Sequence, residues 1–378
     1  MGLNNKLREW RRYLHEHPEI SFQEYKTTQY LAAELEALGV TVELLQPTGV
    51  IGIIKGNKEG PTVALRADID ALALQDIKAV SYKSQVPGVM HACGHDGHSA
   101  ILLGVAETLM KGIGELPGTV ILIFQPAEEN PPGGALRVIE AGYLRDVQWI
   151  FGLHLWTGFA TGIVGLAQGP VMANADEFVI EIQGKGGHGS MPQETVDAAL
   201  VASQVVVALQ TIVSRSINPL EPAVVSVGEL HSGTGFNIIA QEALIRGTYR
   251  SLSQETRLLI EQRIEEIATG ICASFGANCT VQCLRGYPAL INPPAGVELL
   301  KQAAVKVVGV EQIIAPSPVL GGEDFGYYLE QVQGAFMFLG AGSSNAFPHH
   351  HPAFDFAEEV METGVEILVQ ATLDALQK

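Results

Sequence analysis

The chain has 378 residues, of which 47% are hydrophobic and 17% charged, and its formal net charge is −18 at neutral pH. This composition is typical of a soluble globular protein, and the length favours two domains. The negative charge argues against nucleic acid or an anionic membrane surface as partner, because phosphate binding requires a basic face.

The amino-terminal segment alternates charged and apolar residues and lacks the continuous apolar core of a secretory signal. No run reaches the ~18 apolar residues of a conventional transmembrane helix. We therefore expect a cytoplasmic location and no membrane association. The four cysteines are too few for a disulfide scaffold, and Cys272, Cys279 and Cys283 are predicted to be inert packing residues.

From residue 1 to about 173, the apolar pattern alternates between helical and strand-like periods. It predicts helices over 4–16 and 21–38, strands near 41–55 and 61–70, a helix from 99, a strand over 119–125, a helix from 135 and a strand over 149–156. Near-continuous apolar strands separated by helices predict an α/β fold, with a mostly parallel sheet covered by helices on both faces.

Residues 174–286 follow a different pattern. It predicts a strand over 177–183, a helix over 196–214, strands over 223–230 and 242–249, a helix over 253–275 and a strand over 279–286. This β-α-β-β-α-β order is that of a ferredoxin-like α+β domain. We predict a smaller domain inserted into the first, which then comprises residues 1–173 and 287–378 and ends in a helix over 357–376.

The segment His91–His98 places three imidazoles, a thiol and a carboxylate just before a helical apolar run. A loop tightened by its two glycines allows Cys93 and His95 to converge on one metal ion, and a helix N-terminus favours a thiolate. The alternative interpretation is a buried reduced cysteine beside a solvent-exposed histidine cluster. The segment indicates half of a metal site, whose other ligands come from elsewhere in the fold.

Polar side chains also follow three of the predicted strands. Asp68 and Asp70 close one strand, Glu128 and Glu129 follow another, and His154 lies near the end of a third. Because ligands bind outside the carboxyl ends of the strands in such sheets, we expect these residues at one edge, beside the metal-binding segment. Taken singly, the glutamates are also compatible with a solvated loop pair and His154 with a hydrogen-bonded core histidine.

Ordered motifs along almost the whole chain carry a family resemblance. They are RRYLH at 11–15, PE at 18–19 with Glu24, LRADIDAL at 65–72, MHACGHDGH at 90–98, FQPAEE at 124–129, GLH at 152–154, GGH at 186–188, FNII at 236–239, GTYR at 247–250, GGEDF at 321–325 and HHPAFDF at 350–356. The chain resembles the dinuclear metal amidohydrolases that include aminoacylases, hippurate hydrolase, N-acetyl-diaminopimelate deacetylase and the plant auxin–amino acid conjugate hydrolases. The resemblance implies a zinc-peptidase-like fold whose inserted domain is a lid or dimerisation domain.

By this resemblance the metal ligands are Cys93, His95, Glu129, His154 and His350. A thiolate, three imidazoles and a carboxylate suit two divalent transition metals per chain, namely zinc, manganese, cobalt or nickel. Five side chains are few for two coordination shells, and open positions of that kind mark a catalytic rather than a structural site.

The resemblance also implies the reaction. Glu128 takes a proton from water and passes it to the departing amine, while the cations polarise the amide carbonyl and lower the pKa of the water. In an extended segment adjacent side chains point to opposite sides, so Glu129 can bind metal while Glu128 serves as the base.

Residues of the inserted domain are implied to contact the substrate. His188 is expected at the substrate or oxyanion, in its own chain or across a dimer, with Asn237 nearby. Arg250 is a further candidate for substrate binding. In the first domain, Asp68 and Asp70 are expected to support the ligands.

The leading hypothesis is a metal-dependent amidohydrolase that cleaves N-acyl amino acids, with acetyl, benzoyl or similar acyl groups, into a free amino acid and a carboxylate. The same chemistry would serve a dipeptidase or carboxypeptidase, and the sequence does not separate the two. Alternatives of another class are a non-catalytic metal- or thiol-sensing protein with Cys93 as reporter, and a protein-interaction module built on the inserted domain. We expect a small-molecule substrate and a homodimer or homotetramer.

Overall fold

The computed structural model describes residues 2–343 and 346–378. The chain divides into two compact units. The first comprises the chain up to Gly169 together with Ile291–Ser317 and Asp324–Lys378, and the second comprises Pro170–Leu290 and Pro318–Glu323.

The helices and strands are numbered in chain order. The first part of the chain forms α1 (Leu3–Glu16), α2 (Tyr25–Ala37), β1 (Thr41–Leu44), β2 (Val50–Lys55), β3 (Lys58–Asp68), α3 (His95–Lys111), β4 (Pro117–Gln125), α4 (Ala135–Glu140), β5 (Val147–Ala160) and β6 (Val164–Gly165). The middle part forms β7 (Gly169–Met172), β8 (Ala175–Gln183), β9 (Gly187–His188), α5 (Ala198–Leu209), β10 (Ala223–Ser232), β11 (Ile238–Ile239), β12 (Glu242–Ser251), α6 (Gln254–Ser274), β13 (Asn278–Tyr287) and β14 (Leu290–Asn292). The last part forms α7 (Pro294–Val308), β15 (Ile313–Ile314), α8 (Gly326–Leu329), β16 (Gln333–Gly342) and α9 (Val360–Ala375).

The first unit is built on one large sheet in the order β1-β2-β4-β3-β5-β16-β6-β15. β3 runs parallel to both β4 and β5, and β5 runs parallel to β16, whereas β1 and β2 extend the sheet in antiparallel fashion. Apolar residues of α1, α3, α7 and α9 join those of the central strands in one core. The predicted α/β class, with a mostly parallel sheet flanked by helices, is confirmed.

Strand register sets the edge at which the site forms. Asp68 pairs with Gln125, and Arg66 pairs with Gly152, so the carboxyl ends of β3 and β4 lie side by side. β5 continues past His154 to Ala160, further than the sequence predicted. The polar residues that follow β3 and β4 therefore reach the same edge as His154.

The predicted strand near 41–55 is in fact a hairpin of β1 and β2, in which Leu44 pairs with Val50. The sequence of this segment predicted one continuous strand, but Gly49 has a φ of 108°, which residues other than glycine rarely adopt. The turn at Thr48 and Gly49 reverses the chain.

The second unit has the predicted β-α-β-β-α-β order, with sheet order β10-β12-β8-β13 and antiparallel neighbours. Apolar residues of α5 and α6 form a separate core with this sheet. Residues 318–323 also belong to this unit, although the sequence assigned them to the first, because Val319 N–H bonds Val171 O and Ala173 N–H bonds Gly321 O. The lid or dimerisation role stays a prediction.

One helical stretch, Ala198–Ser216, has the length and apolar composition of a membrane span. It comprises α5 and the helical turn that follows, and its residues Val201, Val205 and Leu209 are buried in the core of the second unit. A helix that packs on a protein core is also rich in apolar residues, so a single stretch of this kind is weak evidence for membrane insertion.

Candidate metal centre

Cys93 and His95 lie at the start of α3. The helix begins at His95, four residues before the predicted start, with Gly94 as its N-cap at a φ of 95°. This left-handed conformation, which glycine adopts at little cost, turns the chain into the helix. His95 therefore sits on the first helical turn rather than in a loop, and both side chains are buried.

His154 faces Cys93 with its metal-binding nitrogen. The distance from Cys93 Sγ to His154 Nε2 is 3.4 Å, while His154 Nδ1–H donates to the Leu155 carbonyl at 2.9 Å. That bond fixes the tautomer and leaves the Nε2 lone pair towards the thiol. Burial, together with the rings of His98 and His349, lowers the pKa of His154 well below its usual value. The imidazole is therefore neutral, which is the form that binds metals.

Asp70 orients His95. His95 Nδ1 lies 2.9 Å from the Asp70 carbonyl and 3.2 Å from its carboxylate. His95 Nε2 then faces other carboxylates, 3.7 Å from Asp68 and 3.9 Å from both Glu128 and Glu129. Burial alone would lower the pKa of His95, but the carboxylates of Asp68, Asp70 and Glu129 outweigh it and raise the pKa to about 10. The pocket therefore attracts positive charge.

The segment that carries Glu128 and Glu129 is a turn, and the extended conformation predicted for it is wrong. Ala127, just before it, has a φ of 54°. The two carboxylates consequently do not diverge, since both come within 3.9 Å of His95 Nε2. Glu129 also lies 3.2 Å from His350 Nε2.

His350 is held to the segment before α3. Its N–H donates to the Ala92 carbonyl at 2.8 Å, next to Cys93, and its φ is 62°. Left-handed conformations are costly for residues other than glycine and persist where the surroundings impose them, often at functional sites. Both Ala127 and His350 meet that description.

The five candidate ligands thus come together in the first unit. Their ligand atoms form two groups, each within 4.8 Å: Cys93, His95 and His154, and Cys93, Glu129 and His350. Among the residues that the structure describes, the buried His95 Nε2 has no hydrogen-bond partner, which is unusual for a buried polar atom. Glu129 Oε1 faces His350 Nε2 at 3.2 Å. A thiol, imidazoles and a carboxylate are suitable donors for divalent transition metals, so these residues fit such ions.

Two neighbouring histidines, His98 and His349, make hydrogen bonds to other groups. His98 Nδ1 lies 2.6 Å from Asp68 and its Nε2 accepts from Leu155 N–H at 2.9 Å, so both nitrogens are engaged. His349 Nε2 bonds the Leu155 carbonyl at 2.9 Å, and its ring stacks on Trp156. Through these bonds His98 supports Asp68, and both histidines are attached to the Leu155 backbone beside His154.

A buried arginine that sequence reasoning did not single out ties two ligand segments together. Arg11 donates to Asp96, next to His95, at 2.8 Å and to Asp355, beyond His350, at 2.6 Å. A second buried arginine, Arg66, bonds Asp68 at 2.7 Å. Apolar periodicity does not reveal Arg11 on α1 or Arg66 on β3, because an arginine is ordinarily expected to face solvent.

The second unit holds the expected substrate-side residues. His188 pairs with Ile238, and Gly189 N–H donates to the Asn237 carbonyl at 2.9 Å, so His188 and Asn237 lie on adjacent segments. Ser190 N–H donates to His188 Nδ1 at 3.1 Å. The proton of the neutral ring is therefore on Nε2, which makes that nitrogen a hydrogen-bond donor.

Arg250 lies on β12, a different strand of the second unit. Its side chain is half-buried, and its guanidinium lies close to Gly322: a Cβ added to Gly322 would be 3.3 Å from the guanidinium. Burial lowers the pKa of Arg250. Because arginine remains charged in proteins, it is a cation on this surface.

Comparisons with known proteins agree on one family. The profile of peptidase family M20/M25/M40 matches residues 64–374. The N-acetyl-L-cysteine deacetylase of Bacillus subtilis is 42% identical over 349 residues, covering 92% of this chain and 83% of the deacetylase. Thermostable carboxypeptidase 2 of Saccharolobus solfataricus is 41% identical over 361 residues, covering 94% of this chain and 91% of the carboxypeptidase. The crystal structure of the Bacillus subtilis YxeP protein, a dinuclear metal-binding peptidase from the M20 family, is similar with a TM-score of 0.88 and 36% identity, covering 99% of both chains.

The pKa shifts of two candidate ligands predict that metal binding releases protons. Burial, and then the charges of Glu129 and Glu128, raise the pKa of Cys93 well above its usual value, and the pKa of His95 is about 10. Both groups hold a proton near neutral pH in the metal-free protein, whereas ligation requires a thiolate and an unprotonated His95 Nε2. We expect zinc binding to release about two protons per chain near neutral pH.

Proton competition should weaken as the pH rises, so the apparent zinc affinity should increase with pH throughout the neutral and mildly alkaline range. Titration calorimetry in buffers of different ionisation enthalpy measures the proton count. Cys93→Ser should release about one proton fewer. Binding without proton release, or an affinity that is constant across neutral and mildly alkaline pH, would contradict the prediction.

Proposed function

The chain belongs to peptidase family M20/M25/M40 and is a hydrolase of amide bonds, and we propose that it cleaves N-acyl amino acids into a free amino acid and a carboxylate. The observation that carries the proposal is the cluster of thiol, imidazole and carboxylate donors around His95 Nε2, a buried nitrogen without a hydrogen-bond partner among the described residues, with a second carboxylate, Glu128, beside them. A non-catalytic sensor would not require this second carboxylate.

We propose that Cys93, His95, Glu129, His154 and His350 hold two divalent transition metals per chain, of which zinc, manganese, cobalt and nickel all suit the donors. When bound, such cations polarise the scissile carbonyl and lower the pKa of the attacking water. The protein contributes the orientation of the donors, through the bonds of Asp70 to His95 and of the Leu155 carbonyl to His154.

Glu128 is proposed as the general base. It is buried, and its carboxylate lies 3.9 Å from His95 Nε2, so it reaches the same small volume as the candidate ligands. There it would accept a proton from water and then deliver it to the nitrogen that leaves as an amine.

His188 and Asn237 are proposed to act on the substrate. The Nε2–H of His188 can donate to the oxygen on which negative charge develops, because Ser190 occupies Nδ1. Arg250 supplies a positive charge that suits the α-carboxylate of an amino acid. The second unit would then serve as a lid over the reaction.

We further propose a cytoplasmic homodimer or homotetramer that associates through the second unit. Leu200 and Val207 on α5 are 48% and 68% exposed, and Leu230 on the edge strand β10 is also exposed. Apolar side chains beside an open sheet edge are typical of an association surface.

A second candidate function is cleavage of dipeptides or of C-terminal residues from peptides. The similarity to a carboxypeptidase, at 41% identity, favours it. The chemistry at the scissile amide is shared with the first candidate, so only the group on the acyl side of the bond distinguishes the two.

A matched pair of histidine variants tests the metal site. His350→Ala should reduce the metal content from about two ions per chain to about one, because it removes one of few ligands. His351→Ala should leave the content unchanged, since that ring stacks on Phe347 and accepts from Ala353 N–H at 3.0 Å. Elemental analysis after loading with zinc or manganese is the measurement. Equal occupancy in the two variants would contradict the ligand assignment.

Substrate preference and the base are tested together. Protein loaded with metal should hydrolyse acetyl-, benzoyl- or indoleacetyl-amino acids with a higher kcat/KM than simple dipeptides. Glu128→Gln should bind metal normally and lose a factor of ~10² or more in turnover, because the amide cannot accept a proton. A preference for dipeptides would favour the second candidate function. Near-normal turnover in Glu128→Gln would contradict the assignment of Glu128 as the general base.

Subunit mixing tests whether His188 acts across a dimer. His188→Ala should lower kcat while metal content and fold are retained, as expected for a group that stabilises the oxyanion. Mixed with inactive Glu128→Gln subunits, it should regain activity in heterodimers that contain one intact composite site. An absence of recovery after verified subunit exchange would show that His188 serves its own chain or that no such dimer forms.

A further inference from the structure

We propose that Glu24 is a positioning residue that fixes the direction of Glu128 and Glu129. The inference rests on the proposed function, in which Glu128 is the base and Glu129 a metal ligand. Glu24 lies just before α2, is fully buried, and is outside the set of proposed ligands. It acts through the backbone that precedes the two glutamates.

Glu24 joins two turns. Its Oε1 accepts from Ala127 N–H at 2.8 Å, and its Oε2 accepts from the Thr48 hydroxyl at 2.7 Å, with all three residues buried. The Thr48 turn is itself fixed, because Gly49 N–H donates to the Thr28 hydroxyl on α2 at 2.9 Å. The carboxylate therefore connects α2 and the β1–β2 turn to the chain that leaves β4.

The bond falls at the residue where the chain turns. Ala127 has a φ of 54°, which an L-residue adopts only when its surroundings impose it. Without Glu24 its N–H would be a buried donor with no acceptor, and an ordinary φ would become more favourable. Rotation about that bond would swing Glu128 and Glu129 away from His95.

The other end of the turn is held in the same way. Glu129 N–H donates to Asp70 at 3.0 Å, and Asp70 also orients His95. Pro126, at the start of the turn, is packed closely between Gly49 and Gly134. A Cβ on Gly49 would lie 2.8 Å from the Pro126 ring, and a Cβ on Gly134 would overlap the Pro126 carbonyl, so this end of the turn has little room to move. Two buried carboxylates thus clamp the turn, one tied to a ligand and the other, Glu24, tied to the scaffold.

Glu24 does not serve α2 as a cap. Within the part of the chain that the structure describes, its side chain makes no capping hydrogen bond to the helix that it precedes. Glu19 caps the first turn of α2 instead, accepting from Thr27 N–H at 2.8 Å and from the Thr27 hydroxyl at 3.0 Å. Glu19 is therefore a matched control, because it bonds the same helix but not the turn.

The test compares Glu24→Ala, Glu24→Gln and Glu19→Ala by steady-state kinetics, zinc titration and thermal unfolding of the full chain. Glu24→Ala should lower kcat by ~10²-fold with a smaller change in KM, since small misplacements of a catalytic group have effects of that size. Its zinc affinity should fall by ~10-fold, as is usual when a group that supports a ligand is lost.

Glu24→Gln should rescue both kcat and zinc affinity. Its amide oxygen accepts from Ala127 N–H and its amide nitrogen donates to the Thr48 oxygen. Burial raises the pKa of Glu24 to about 7, so a neutral side chain is already well populated near neutral pH. Glu19→Ala should lower the unfolding midpoint and leave kcat unchanged.

Several results would overturn the proposal. They are wild-type kcat and zinc affinity in Glu24→Ala, failure of Glu24→Gln to rescue, or an equal loss of kcat in Glu19→Ala. If Glu24→Ala does not fold, Thr48→Val, which removes one anchor of the carboxylate, should still lower kcat and zinc affinity several-fold, and no change would count against it. If the wild type hydrolyses none of the substrates, the proposed function fails, while the zinc titrations still decide the role of Glu24.

Discussion

Buried negative charge is the constraint on which the first unit depends. Asp68 and Asp96 are removed from water, where an uncompensated carboxylate is costly, and each is bonded to a buried arginine, Arg66 and Arg11 respectively. The remaining negative field acts on His95 and raises its pKa to about 10. A pocket that stabilises a proton so strongly also favours the binding of a divalent cation, and Asp70, one of the carboxylates that raise this pKa, also orients His95 as a candidate ligand.

Local backbone conformation determines the directions of the candidate ligands. Parallel pairing of β3 with β4 and β5 brings the strand ends to one edge, but it does not determine where the side chains point. Three left-handed residues do so: Gly94 before His95, Ala127 before the glutamates, and His350 itself. Glycine suffices at the first position. At the other two an N–H bond, to Glu24 or to the Ala92 carbonyl, holds the conformation.

The sequence allowed the sheet and the element order of the second unit to be predicted, because apolar periodicity is local. The strand-end rule pointed to Glu128, Glu129 and His154, whereas His350 was predicted only from the family resemblance. The conformation of the glutamate turn could not be predicted in the same way. It depends on a bond between Glu24 and Ala127, 103 positions apart. Similarly, α3 starts at His95 because Gly94 caps it, whereas the apolar period begins only at 99. The assignment of residues 318–323 to the second unit depends on backbone bonds that leave no compositional signal.

The site by itself does not choose between an acylated amino acid and a dipeptide. In both, the departing group is an amino acid whose α-carboxylate suits a cation such as Arg250, and the bond that breaks is the same amide. The substrates differ on the acyl side, which is neutral in one and carries an ammonium group in the other. A buried ammonium group requires a carboxylate or another hydrogen-bond acceptor in place of water, whereas an apolar acyl group requires apolar side chains around it. On the proposed roles, specificity would therefore depend on residues that face the acyl group and not on Cys93, His95, His154 or the glutamates, because the chemistry at the amide is the same in both reactions.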